Sequence, residues 1–186
     1  MNTNILKTIP YPRTTDLIKR IHTLVGPQGK TPIFKTVGGT GSLQRIMTQQ
    51  VTDIDELPGI FVTPGTQTSG SSSISNGITQ VVTVSYFVVI VLPMTDSLSG
   101  LNQTDDTEET YIAAAHWAVL GARVAMGRNN GKPMQFSNGE PYLIDQSRYS
   151  YKLEYQIDIR LTDDDTYKGE LVDLVSIDQK FDIKQK

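Results

Sequence analysis

Residues 149–161 read YSYKLEYQIDIRL and alternate without a fault. Tyr149, Tyr151, Leu153, Tyr155, Ile157, Ile159 and Leu161 fall on one side, and Ser150, Lys152, Glu154, Gln156, Asp158 and Arg160 on the other. Successive side chains of a strand point to opposite faces, so the stretch predicts a β-strand with one face in a core and the other in water. Aromatic side chains carry much of the apolar area of sheet cores, and the tyrosines are expected there. Upstream, residues 78–92 (ITQVVTVSYFVVIVL) are rich in β-branched and aromatic side chains, and from Tyr86 onward both parities are apolar. That pattern predicts a second long strand whose latter half is central and covered on both faces.

A helix is expected between these two strands. Asp105 and Glu108 have the spacing of a capping box, and Asp105, Asp106, Glu108 and Glu109 place negative charge where a helix dipole favours it. The helix is expected to run to about Met126, with Ile112, Ala115, Val119, Ala122 and Met126 as its apolar stripe. Ala113, Ala114, Ala118 and Gly121 are the small residues that permit close packing on a sheet. Residues 129–141 contain Asn-Gly twice and Pro133, which reads as a loop or a loose hairpin.

Nearer the start, Thr14 or Thr15 can cap a helix bearing Leu17, Ile18, Ile21, Leu24 and Val25, stopped by Gly26-Pro27. Residues 32–37 (PIFKTV) look β-like and end in Gly38-Gly39-Thr40-Gly41, after which residues 42–50 suit a short helix. Residues 57–64 (LPGIFVTP) read as a short strand bracketed by prolines, a residue type tolerated at a sheet edge or strand start. Residues 65–77 (GTQTSGSSSISNG) are too poor in apolar side chains to repay ordering, and a flexible loop is expected there. Residues 162–166 (TDDDT) form an acidic break. Beyond it Leu171, Leu174, Val175, Ile177, Phe181 and Ile183 form a separate apolar segment, whose spacing suits a strand although its start also suits a short helix.

The organisation expected is therefore a lead-in over residues 1–13, one α+β domain over residues 14–162 and a C-terminal interaction arm over residues 163–186. The 186 residues are enough for one substantial core. Hydrophobic residues are 38% and charged residues 20%, ordinary globular usage that argues against global disorder. With 17 Lys and Arg against 20 Asp and Glu, scattered along the chain, the sequence offers no footprint for specific nucleic-acid binding. The absence of cysteine excludes disulfides, thiolate nucleophiles and Cys-based metal sites. Residues 1–12 do not read as a signal peptide, and no apolar run approaches the roughly 20 residues of a spanning helix. No fixed-period repeat appears.

The chemistry that an enzyme needs does not assemble in the sequence. His22 and His116 are the only histidines, in no metal-ligand spacing, and each reads more naturally as a structural histidine. The GGTG of residues 38–41 lacks the Lys-Ser/Thr of a P-loop and reads as a turn. Asp163, Asp164 and Asp165 lack EF-hand spacing, and no serine stands in a GxSxG context. Trp117 falls beside the main helix stripe, which makes it a candidate interface residue.

The order of elements resembles the tail terminator proteins of long-tailed bacteriophages, also called tail completion or head–tail joining proteins. Three stretches carry the likeness: Leu57-Pro58-Gly59-Ile60-Phe61-Val62, residues 80–92, and residues 149–159, with the helix of residues 107–126 between the last two. Together they span most of residues 14–161. The resemblance implies an α+β fold, a largely antiparallel sheet packed on helices. It also implies a structural virion protein at the tail–neck junction, made and assembled in the host cytoplasm. Such a subunit forms a ring, expected to be a hexamer, that caps the tail tube and docks the head-side connector. The tube protein is the implied partner, with the sheath protein as a further candidate, and DNA passes through the lumen without specific binding. The family has no catalytic residues to transfer, so no active site, cofactor or metal is implied.

The loop of residues 65–77 and the segment beyond Thr166 match no family pattern. An apolar segment past an acidic break suits contact with a neighbour, so Leu171, Leu174, Val175, Ile177 and Phe181, with Trp117, are the candidate subunit or partner interface. Two other readings compete: another neck or head-completion adaptor, and a small-molecule-binding or hydrolytic domain with a pocket near Trp117 and His116.

Overall fold

A computed structural model of the chain describes residues 13–24, 31–48, 56–70, 79–93, 103–123, 132–144 and 148–162. In chain order the elements are α1 (Thr14–His22), β1 (Thr36–Gly38), α2 (Thr40–Thr48), β2 (Gly59–Ser69), β3 (Thr79–Pro93), α3 (Gln103–Val119), β4 (Gln135–Ile144) and β5 (Arg148–Thr162). The five strands form one sheet in the order β1-β2-β3-β5-β4. The fold is α+β, as the sequence predicts, but the sheet is mixed. β1 runs parallel to β2, and the other pairs are antiparallel. A parallel pair needs a crossover, and α2 lies within the connection that supplies it.

The two strands read first from the sequence form the sheet's centre. β3 and β5 pair from Thr79↔Thr162 to Pro93↔Arg148 with no shift of register. This places Val82 opposite Ile159, Val84 opposite Ile157, Tyr86 opposite Tyr155 and Val88 opposite Leu153, all buried. Leu17, Ile21 and Leu24 from α1 and its end, and Ala115, Ala118 and Val119 from α3, complete this main core. The alanines let the helix approach the sheet closely while still burying apolar area. On the opposite face Phe61, Val89 and Val91 pack with Ile46 of α2 and Leu57 in a second, smaller core. The latter half of β3 is thus apolar on both parities because both of its faces are covered.

Four local expectations are corrected. Neither Thr14 nor Thr15 caps α1. Arg13 is the N-cap residue, with extended backbone and no side-chain capping bond, and its guanidinium instead reaches the Asp16 carboxylate through two bonds of 3.1 and 3.2 Å. Helix α3 begins at Gln103 and stops at Val119, short of Met126, which lies outside the described residues. Gly121 takes a φ of +71°, a left-handed conformation that ends helices and that glycine adopts without Cβ strain. Its N–H donates to the Met134 carbonyl, and the Met134 N–H donates to the Ala122 carbonyl. Gly121, read as a packing residue, is therefore the stop.

Strand β2 continues through residues 65–69, where a flexible loop is expected. Its register shifts between Pro64 and Gln67, and the Thr66 N–H donates to Ser85 Oγ at 2.8 Å. A Cβ on Gly65 would stand 2.4 Å from Ser85 Oγ and 3.1 Å from the Ser85 carbonyl, so close backbone approach requires glycine there. Backbone pairing to β3 supplies the order that the side chains lack. Pro64 is tolerated because β1 pairs with β2 only as far as Phe61, leaving no neighbour on that side among the described strands. Residues 71–77 of the expected loop lie outside the described residues.

Residues 135–144, most of which fall in the stretch expected to be a loop or a loose hairpin, form β4. Register shifts between Phe136 and Asn138 and between Pro141 and Leu143 absorb the Asn-Gly and proline signals. Among the described strands β4 is at the edge and pairs on one side only, where such residues cost least.

Candidate functional site

Among the described residues the large apolar side chains left exposed are Val81, Trp117, Leu120, Phe136, Tyr142 and Leu143, and three of them, including the most exposed, stand at the C-terminal end of α3. Trp117, beside the buried stripe of Ala115, Ala118 and Val119, is 76% exposed. Leu120, one turn on, is 49% exposed, and Phe136 at the start of β4 is 44% exposed. A large apolar group held in water costs roughly 25 cal/mol per Å² that a partner's contact recovers. Three such groups stand together beside one helix end.

His116 ties this surface to the core. Its ring meets the Phe136 ring edge-on at 4.8 Å between centroids, and its Nδ1 lies 3.0 Å from the Tyr155 hydroxyl. Tyr155 is fully buried opposite Tyr86, and burial raises its pKa above the ordinary tyrosine range, so the hydroxyl stays protonated. Desolvation lowers the pKa of His116, which favours the neutral imidazole. Among the described residues no carboxylate orients His116, and no group of three His, Asp or Glu could hold a metal ion. The pair positions Phe136 and the last turn of α3.

Next to this apolar surface lies a cationic cleft of about 300 Å³ lined by Arg13, Asp16, Leu17, Lys19, Arg20, Ala122 and Arg123. Four cations stand against one carboxylate. Arg13 engages Asp16, and Arg20 Nε donates to the Ala118 carbonyl, anchoring α1 to the end of α3. Lys19 and Arg123 have no ion-pair partner among the described residues. Sequence reading sees these basic residues as scattered. Packing α1 beside residues 122–123 brings them together, and the adjacent pair Lys19-Arg20 is the only local signal. A second cleft, of about 340 Å³, lies by the β2 bulge between Arg13, Thr14, Thr15 and Pro64, Gly65, Gln67.

Of the interface residues expected from sequence, Trp117 is on this surface. Leu171, Leu174, Val175, Ile177 and Phe181 lie outside the described residues, as do Asp163, Asp164 and Asp165. His22 is exposed at the end of α1, remote in sequence from any partner set, and the GGTG is the junction from β1 into α2. Neither cleft described above includes Trp117 or His116. Among the described residues no helix is long and apolar enough to cross a membrane.

No family model matches the chain, and no curated protein matches it. Among solved structures, a chain of the "virion of native gene transfer agent (GTA) particle" superposes with a TM-score of 0.38 at 14% identity, covering 64% of this chain and 91% of that chain. At that TM-score the overlay carries no functional argument.

Proposed function

We propose that this protein is a structural virion subunit of the tail-terminator kind. It closes a completed tail tube as a ring, hexameric by the resemblance, and presents a docking surface to the neck connector while carrying out no reaction. The observation that carries the reading is the exposed Trp117, Leu120 and Phe136 surface, held in place by the half-buried His116 and its contact with the buried Tyr155. The element order shared with tail terminators agrees with it. In this reading Leu171, Leu174, Val175, Ile177 and Phe181 hold a neighbouring subunit, the contact is heterologous and closes into a ring, and DNA passes through the lumen without specific binding.

Negative-stain electron microscopy of the purified protein, alone and mixed with tail tubes, tests this together with mass from light scattering. Rings of about six subunits, or density capping one end of the tube, are the expected result. A protein that stays monomeric and leaves both tube ends bare sinks the reading.

A further inference from the structure

The cationic cleft and the apolar surface share one support, the end of α3. Ala122 and Arg123 line the cleft, Arg20 bonds the Ala118 carbonyl, and Trp117 and Leu120 belong to the last turn and its exit. An occupant of both would present negative charge and then apolar side chains within a short length. The chain has a net charge of -3, and a cleft with four cations and one carboxylate runs against that balance. Gathering like charges is unfavourable unless an anion relieves it.

The chain itself contains such an occupant. Asp163-Asp164-Asp165 is its only run of three consecutive acids, and the apolar residues that begin at Leu171 follow closely. The other acidic cluster, at residues 105–109, lies in the opening turns of α3, at the far end of a 17-residue helix and so roughly 20 Å from the cleft. From Asp164 to Leu171 an extended chain spans up to about 23 Å, ample to reach from the cleft across one helical turn to Trp117.

Geometry favours a second copy over the same one. Ala122, which lines the cleft, accepts from the N–H of Met134, the residue directly before Gln135, the partner of Gln156. Thr162 lies six residues further along β5, roughly 20 Å away along the strand. Three residues beyond Thr162 reach back only about 10 Å. A neighbouring copy has no such restriction.

We infer that the end of α3 is the receptor for the C-terminal segment of an adjacent copy of this chain. Asp163, Asp164 and Asp165 enter the cleft of Arg13, Lys19, Arg20 and Arg123, and the apolar residues from Leu171 onward cover Trp117, Leu120 and Phe136. This rests on the ring reading above and names the two surfaces that close the ring.

Trp117 is the only tryptophan and reports directly on its own cover. Fluorescence emission of the full-length protein is followed over a dilution series and on tail tubes, with light-scattering mass measured in parallel. Emission characteristic of a covered indole in the assembled state, moving to that of an exposed indole as mass falls to the monomer, is expected. Changing Asp163, Asp164 and Asp165 together to Lys should raise the concentration for half-assembly at least about tenfold, a change of roughly 1.4 kcal/mol. Combining that change with Lys19→Glu and Arg123→Glu should restore assembly. Rings whose Trp117 emission stays that of an exposed indole overturn this inference and leave the ring reading standing. So does a fully covered indole in the dilute monomer, which would mean docking within one chain. Charge reversal without effect, or an indole covered only by added tube protein or DNA irrespective of the reversal, also overturns it. Absence of rings and of tube binding removes both readings together.

Discussion

The two faces of the sheet are built on different terms. Beneath α1 and α3 the apolar surface extends along nearly the whole of β3 and β5, from Val82 and Ile159 at one end to Leu92 at the other. On the opposite face the buried apolar cluster is small: under α2, Ile46, Leu57, Phe61, Val89 and Val91 form a five-residue core. Beyond it the same face carries Thr83, Ser85, Lys152, Glu154, Gln156 and Asp158, with the Lys152 ammonium over the Phe87 ring at 5.1 Å. This explains why two adjacent central strands have different patterns. β5 alternates because most of its second face meets water, and β3 loses its alternation where α2 covers it. Strand patterning reports the layers above and below a strand as well as its place in the sheet.

The sharpest break of this comparison is a cation placed on each part of the second face. Val89→Lys buries an unpaired charge beside Phe61 and should destabilise by more than about 4 kcal/mol, or prevent folding. Gln156→Lys on the open part should stay within about 0.5 kcal/mol of the parent in urea denaturation. Equal effects would show that α2 does not distinguish the two halves. Phe61→Ala should cost about 3–5 kcal/mol. Since the small core has few other members, amide hydrogen exchange should accelerate in α2 more than in α3.

A smaller effect probes the main face. Tyr155→Phe removes the bond to His116 and should cost about 1 kcal/mol. The same site sets a pH dependence. Desolvation holds His116 below its ordinary value of 6.5, so the folded state binds fewer protons there than the unfolded state. The stability this provides is fully present above pH 6.5 and is lost as pH falls from 6.5 through the lower folded-state value. His116→Gln should flatten that part of the denaturation-midpoint profile. A small effect is also expected at Ser150, buried on the second face opposite Val91, whose Oγ has no hydrogen-bond partner among the described residues. Ser150→Ala should be neutral or stabilising by up to about 1 kcal/mol in the same assay, because it removes a buried unsatisfied hydroxyl.

Three of the four corrections, those of α3, β2 and β4, have a common cause. Gly121, Gly65, Pro64, Pro141 and the Asn138-Gly139 pair are punctuation that local rules interpret one at a time. Gly121 is read as a packing residue and the others as loop or strand-end signals. In the fold, Gly121 ends α3 because Met134 accepts its N–H, and Gly65 lies inside a strand because Ser85 approaches its backbone. Pro141 lies inside another because β4 is at the edge of the described sheet. Each outcome depends on a residue many positions away, which no window along the chain contains.

By itself the sequence determined the α+β class, the long strands of residues 78–92 and 149–161, the inward parity of the second, and Trp117 as the residue outside the helix stripe. These follow from side-chain periodicity, a property of neighbours along the chain. Only the tertiary structure decided the parallel β1–β2 pair, the limits of α3 and β2, and the existence of β4. It alone brought Arg13, Lys19, Arg20 and Arg123 into one cleft beside an exposed tryptophan. Those features depend on which surfaces meet when the chain closes, and charges separated by a hundred residues have no common signal until α1 packs against the end of α3.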